Sequence, residues 1–442
     1  MGIRISIGRI VIGGTGGGVD WIAYWATLIS ATVENAAPTH VVLTFPTAQT
    51  SLVASDFTIA GFTVNNASWA GTVLTLVLAE TVKYTDSLIV TFVKTGGTAA
   101  VTNNIIPYFI TTWQTENAGS ATKTIVIPTA GAGYACYVTW GDGSAEEYFS
   151  GTAPFISHVY PTTGIKTVKI RGLFPRIYFH GAGDKLKLLT IAQWGNIVWG
   201  SMGDAFWGCT NMVGTYSDYP NVSAVENMTG AFYNCAAFNQ SVAQFDTANV
   251  TSMFYMFYYC TVFNQSVINF NTAKVMNFKE MLAYCPSFKQ SLATFSLAAA
   301  TNLTSMLNAS NINTAGTTTN YDATLVSFAA QAVTASLSFH GGTSKYGEGL
   351  VDNGTTDGAA ANKLIQSGQN FVTTVTIGDV AYNTTDGTYA RVTAIDSDTQ
   401  LALDADIMAN AKVYRIQHSA AAKARASLIK DDLWTITDGG YL

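Results

Sequence analysis

The sequence predicts a mainly β chain of several domains that also carries α/β repeats. Three observations predict it. Short alternating apolar segments recur through the first part of the chain, a 25-residue internal repeat follows them, and only 11 % of the 442 residues are charged. A usual globular chain is about a quarter charged, so solubility here rests on Gly, Ser, Thr and Asn, a composition of β-rich exterior proteins. At about 150 residues per domain the length allows three domains, and more if they are small. The net charge of −6 gives no basic footprint for nucleic acid. No run of eighteen apolar residues exists, so no membrane insertion is expected.

Residues 1–28 read as an N-terminal attachment segment. Apolar and polar residues alternate as far as Ile12, and GGTGGG then forms a flexible hinge. VDWIAYWATLIS sets Trp21, Trp25 and Leu28 on one face of a short helix or turn. Such a face is either a docking surface or packing onto the next domain, and the sequence leaves both open. Arg4 and Arg9 interrupt the apolar start, which therefore does not read as a secretory signal.

Residues 29–104 read as a β-sandwich, from THVVLTF, DFTIAGFTV, GTVLTLVLA and DSLIVTFVK, with Asn65, Asn66, Gly71 and Asp86 in the turns. VENAAPTHVVLTFPTA resembles the opening of immunoglobulin-like modules in bacterial and phage surface proteins. Residues 105–182 read as a second sandwich built on KTIVIPT, YACYVTWGDGS and KTVKIRG. Its Trp140-Gly141-Asp142-Gly143-Ser144, then His158-Val159-Tyr160 and Gly164-Ile165-Lys166-Thr167-Val168, resemble the polycystic-kidney-disease (PKD) type of module. Ile165 and Lys166 depart from that family's tyrosine-containing pattern. Asp142 reads as a hairpin-turn residue bonding its own backbone, ahead of a calcium or catalytic role.

Residues 183–349 hold the repeats. Cys209, Cys235, Cys260 and Cys285 recur at near-constant intervals, the first unit one residue out of step. Met228, Met253, Phe278 and Leu303 share one register; Phe232, Phe257, Leu282 and Leu307 share another; Phe238, Phe263 and Phe288 share a third. A fixed period of this kind means stacked units that bury their apolar edges on one another. Val250, Met253, Phe257 and Cys260 fall three or four apart, as on one helical face, so the cysteines point inward. A buried thiol ladder is the expected reading, since free cysteine behaves as a small hydrophobe. Disulfides between units come second, and five cysteines including the isolated Cys136 are a poor disulfide scaffold. Zinc comes last, for want of a CxxC pair or nearby histidine. Asn239 with Gln240, and Asn264 with Gln265, recur where turns need capping, a role expected ahead of ligand contacts.

Val250, Met253, Met256-Phe257, Cys260 and Phe263-Asn264-Gln265-Ser266-Val267 resemble the repeat of BspA-type leucine-rich-repeat-like surface proteins. The resemblance implies a solenoid and a recognition protein of a cell surface or a phage, not an enzyme. FHGGTSKYGEG and HSAAAKARASLIKDDLWTITDGG resemble two halves of one terminal element in such proteins. Residues 350–417 then read as an inserted small β module, and 418–442 as the helix and strand that complete the repeat domain.

Little chemistry is legible. His40, His158, His180, His340 and His418 are scattered, and no H-E-x-x-H, G-x-S-x-G or phosphate-binding loop occurs. Asp396-Ser397-Asp398 and Asp404-Ala405-Asp406 lack the remaining ligands of a calcium loop. No catalytic residue, cofactor or metal is expected. The leading expectation is a phage virion protein of fibre, tail or head-decoration type, docked on other virion proteins through its N-terminus, self-associating, and meeting a host surface protein or glycan. A bacterial cell-surface adhesin is the alternative. A polysaccharide depolymerase is third.

Overall fold

The computed structural model describes residues 24–34, 37–49, 51–79, 88–104 and 107–442. The chain divides into two compact units, Met1–Pro107 and Tyr108–Leu442.

The first unit contains β1 (Ser30–Glu34), β2 (Ala37–Thr44), β3 (Phe57–Ile59), β4 (Val64–Ala70), β5 (Val73–Leu78), β6 (Leu88–Phe92) and β7 (Gly97–Asn104). They hydrogen-bond in the single order β3-β6-β7-β1-β2-β5-β4. The expected two sheets are joined because β7 changes partner along its length. Its residues 97–101 pair with β6, and 102–104 pair in parallel with β1. Alternation along β5 turns Leu74, Leu76 and Leu78 inward onto Val41, Leu43 and Phe92.

Trp25 belongs to this core. It is 8 % exposed, stacks on Phe92 at 5.2 Å, and lies so close to Gly97 that a Cβ there would meet the indole at 2.5 Å. Of the two readings for the Trp21/Trp25 face, Trp25 therefore takes the packing one, because an indole gains far more from burial than from exposure. Trp21 lies outside the described residues.

The second unit opens with β8 (Phe109–Gln114), β9 (Thr124–Ile127), β10 (Tyr134–Thr139), β11 (Glu147–Gly151), β12 (Ile156–Val159), β13 (Ile165–Leu173), β14 (Leu188–Gln193) and β15 (Val213–Gly214). They form a six-stranded sheet, β11-β10-β13-β8-β14-β15, and a two-stranded one, β12-β9. The Asp142 turn is self-capped: its carboxylate accepts from the Ser144 amide at 3.0 Å and hydroxyl at 2.6 Å and meets His158 Nε2 at 2.8 Å. An expected boundary at residue 182 is crossed by both sheet and core. β14 pairs with β8, and Phe109 stacks on Trp194 at 5.7 Å and meets Trp199 edge-on at 5.2 Å. One hydrophobic core then runs from Phe109 to Trp434.

Between residues 215 and 318 the described chain contains neither helix nor regular strand, which corrects the expected α/β repeat. Successive coils are joined by isolated parallel bridges, Asn227 to Ser252 to Asn277 to Asn302. Tight turns reproduce the three- and four-residue spacing of a helical face: Met256 N bonds Met253 O at 3.1 Å and Cys260 N bonds Phe257 O at 3.0 Å. Other amides reach the next coil instead, as Phe232 N does to Met256 O and Phe257 N to Met281 O, both at 2.9 Å. Left-handed backbone at Tyr255 (φ 57°) and Tyr259 (φ 59°) rules out a helix there.

The stack ends on α1 (Thr319–Ala329) and β16 (Ser338–His340). Then come β17 (Leu350–Thr355), β18 (Lys363–Ile365), α2 (Phe371–Thr374), β19 (Val380–Asn383), β20 (Thr388–Ser397), β21 (Gln400–Leu403) and β22 (Val413–Gln417), followed by α3 (Ala420–Lys430) and β23 (Thr435–Thr437). Strands β17 to β22 make their own sheet, β17-β22-β19-β20-β21-β18, around Leu364, Phe371, Leu401, Tyr414 and Ile416. The chain enters and leaves this segment at one point, where the His418 amide bonds Gly349 O at 2.9 Å. Across the segment β16 pairs in parallel with β23, so the last residues close the stack.

Candidate recognition face

Each coil turns one edge inward. Cys209, Cys235, Cys260, Cys285, Phe232, Phe257, Phe238, Phe263 and Phe288 are all fully buried, and all five cysteines are free thiols. Phe232 stacks on Phe257 at 5.6 Å and Phe263 on Phe288 at 5.9 Å. The thiols also donate to the preceding coil: Cys235 Sγ to Phe206 O at 3.1 Å, Cys260 Sγ to Phe232 O and Cys285 Sγ to Phe257 O, both at 2.9 Å. Burial pushes the Cys285 thiol up to about 12 and the Cys209, Cys235 and Cys260 thiols well above their usual value, so the ladder is unreactive.

A second edge is held by amides. Asn239 Oδ1 accepts from Asn264 N and Asn264 Oδ1 from Lys289 N, both at 2.8 Å. Gln265 Nε2 donates to Asn239 O at 2.9 Å and Gln290 Nε2 to Asn264 O at 3.2 Å. These side chains satisfy coil backbone that has no strand ladder to satisfy it.

The third edge is aromatic, and the sequence reading missed it. Trp207 stacks on Tyr233 at 4.3 Å, and Tyr233 on Tyr258 at 4.8 Å. Tyr258 meets Tyr284 at 5.4 Å, and Tyr284 lies flat on Tyr259 at 4.5 Å and 6°. Tyr255 stands edge-on to Tyr258 at 4.8 Å and donates its hydroxyl to Glu280 Oε1 at 3.3 Å. These rings are half-buried, and Tyr259 is 41 % exposed. Burial pushes the Tyr258 hydroxyl up to about 12 and raises those of Tyr233 and Tyr255, with the Glu280 charge adding to each. They are neutral donors and acceptors at any physiological pH.

Tyr255, Tyr259 and Tyr284 (φ 59°) sit in the left-handed region, as does every coil at these two places: Asp204, Gly230, Glu280 and Ser305 share the place of Tyr255, and Gly208, Asn234 and Ala309 that of Tyr259 and Tyr284. A bulky residue there carries on the order of 1 kcal/mol of strain that glycine avoids. The row continues before Trp207 through His180, edge-on at 5.1 Å, and stops at the last coil, where the same registers hold Ser305, Asn308 and Ala309.

The remaining candidates are dispersed. His158 is bound into the Asp142 turn, His418 Nδ1 meets Asp379 at 2.7 Å, and Asp396 and Asp404 bind Lys363 and Lys430. Among the described residues no three His, Cys, Asp or Glu side chains are grouped to hold a metal, and no helix is long and apolar enough to cross a membrane. No curated protein and no solved structure shows significant similarity to the chain. Residues 200–321, which contain the inward ladder and the aromatic face, match the model of a family described as Mycoplasma protein of unknown function, DUF285.

Proposed function

We propose that the protein is a non-enzymatic cell-surface recognition protein of the BspA type, that its stacked coils form a leucine-rich-repeat-like solenoid, and that the aromatic face binds the partner surface. One observation carries this: Trp207, Tyr233, Tyr255, Tyr258, Tyr259 and Tyr284 gather their rings on one outer face of the stack. Tyrosine gives a large, stiff, amphipathic contact at low entropic cost. The family match over the coils and the weakly charged, β-rich composition support a surface setting. In this reading the two β-rich segments before the stack are spacers.

The test has two arms. Antibody against the chain should label intact cells of the organism that makes it, and the purified chain should bind a foreign cell surface saturably. The Tyr259→Ala/Tyr284→Ala double variant should keep its circular dichroism and lose that binding. Binding unchanged in the folded double variant would remove the face from the function. A phage virion setting would use the same face, and the exterior-type composition of only 11 % charged residues favours it too. Gold labelling of purified particles but not of phage-free cells would establish that setting in place of the cell surface.

A further inference from the structure

We propose that the aromatic face takes an uncharged linear oligosaccharide lying along the stack axis; this rests on the recognition reading above. The first argument is charge. At the four positions per coil that build the face, from Gly203 to Ala309, the charged side chains are Asp204, Lys279 and Glu280. Lys279 pairs with Glu280 at 3.7 Å and lies over the Phe254 ring at 5.6 Å, and Asp204 meets His180 Nδ1 at 3.0 Å. A face whose few charges are each engaged by a neighbour offers no basic complement for an acidic polymer or a phosphate.

The second argument is side-chain chemistry. Those positions hold aromatic rings, hydroxyls, amides and small residues, and no Val, Leu, Ile or Met. Protein interfaces bury about 800 Å² per partner, with an apolar patch at their centre. A sugar instead offers C–H faces for rings and hydroxyls for polar atoms at the same spot. Tyrosine hydroxyls and the Glu280 carboxylate supply such atoms among the rings, with Tyr255 already bonded to Glu280 at 3.3 Å.

The third argument is shape. Within the row Tyr259 and Tyr284 stack on each other at 4.5 Å, and their register holds Asn234 in the coil before and Ala309 in the coil after, so the aromatic pair has no ring of its own register on either side. C–H faces of the ligand would stack there, while hydroxyls run along the ring edges between. From Trp207 to Tyr284 the row crosses three coil intervals, on the order of 15 Å at ~4.8 Å each. That length takes several sugar rings.

The experiment uses the full chain and the cell surface it binds. Periodate treatment of those cells, which destroys sugars, should abolish tyrosine-dependent binding. Uncharged hexasaccharides (chito-, cello- and mannohexaose) should be tried as competitors, and at least one should compete at least tenfold better than its disaccharide. Tyr284→Ala should lose that competition, while Tyr148→Ala, an exposed tyrosine on β11, should keep it. Binding that survives periodate and is removed by protease overturns the oligosaccharide and leaves the recognition reading standing. Competition by sulfated or sialylated glycans alone overturns the uncharged ligand. A chain that binds no surface through these tyrosines overturns both.

Discussion

Ser310 stands one coil beyond Cys285 in the same buried place. Its hydroxyl donates to Leu282 O at 2.7 Å and accepts from the Cys285 amide at 2.8 Å, while the Cys285 thiol donates to Phe257 O at 2.9 Å. The ladder position therefore requires a small side chain with a donor, and sulfur is one way to provide it.

Cys260→Ser should accordingly fold and melt close to wild type. Cys260→Ala removes little volume and one buried hydrogen bond, a loss of about 1 kcal/mol. Cys260→Asp buries an uncompensated charge and should unfold the stack. Urea denaturation of the three variants checks the order. Thiol reagents should label the native chain only after unfolding.

Arg425 and Asp438 form a buried pair at 2.8 Å that also holds Tyr321 (2.9 Å) and Tyr389 (2.5 Å). Arg425→Met leaves the Asp438 carboxylate buried without its cation, at a cost of about 3–5 kcal/mol. Adding Asp438→Leu should recover part of that loss. Thermal melts of the single and double variants measure it, and additive losses would show the pair to be uncoupled.

Excising residues 350–417, with Gly349 joined to His418 by a short linker, should leave a folded remainder. The two ends already share a hydrogen bond, and the excised sheet carries its own core. The shortened chain should melt lower than wild type, because Arg425 loses Tyr389 and Lys423 loses Asp379, 3.1 Å away. A remainder that aggregates, or that lacks a cooperative transition, would show the segment to be integral to the stack.

Bonds from Ser144, together with His158 beside it, hold the Asp142 carboxyl well below its usual range against a smaller opposing effect of burial. A depressed carboxyl contributes stability above its unfolded value near pH 4, and that contribution disappears as pH falls toward the folded value. Asp142→Asn should therefore be less stable than wild type at pH 6, with the gap narrowing steadily as pH falls from 4 to 2. Urea midpoints across that range test it, and a constant gap would contradict it.

The inward edge was legible in the sequence because period and polarity there coincide: Met253, Phe257, Cys260 and Phe263 are apolar, recurrent and buried. The secondary structure beneath them was not, since tight turns and a helix share the same three- and four-residue spacing. Ser310 escaped notice because a hydroxyl breaks the apolar pattern while keeping the hydrogen bond. The aromatic face was hidden for a different reason. Tyr233 and Tyr258 occupy one register and Tyr259 and Tyr284 the next, so neither repeats along the whole stack. The available signal was the run of aromatic residues at Phe254-Tyr255, Tyr258-Tyr259 and Tyr284, outside the inward registers. Trp25 was legible as an apolar contact, and Gly97 beneath it shows which kind.

The most direct test of the central claim measures stability and binding together in Tyr259→Gly. Glycine relieves about 1 kcal/mol of left-handed strain, and the lost stacking on Tyr284 costs about 0.5–1.5 kcal/mol. If the tyrosine is kept for recognition, the unfolding free energy should stay within about 1 kcal/mol of wild type while binding to the partner surface is lost. A variant that binds as well as wild type but is destabilised by several kcal/mol would contradict the account, because the ring would then serve the fold.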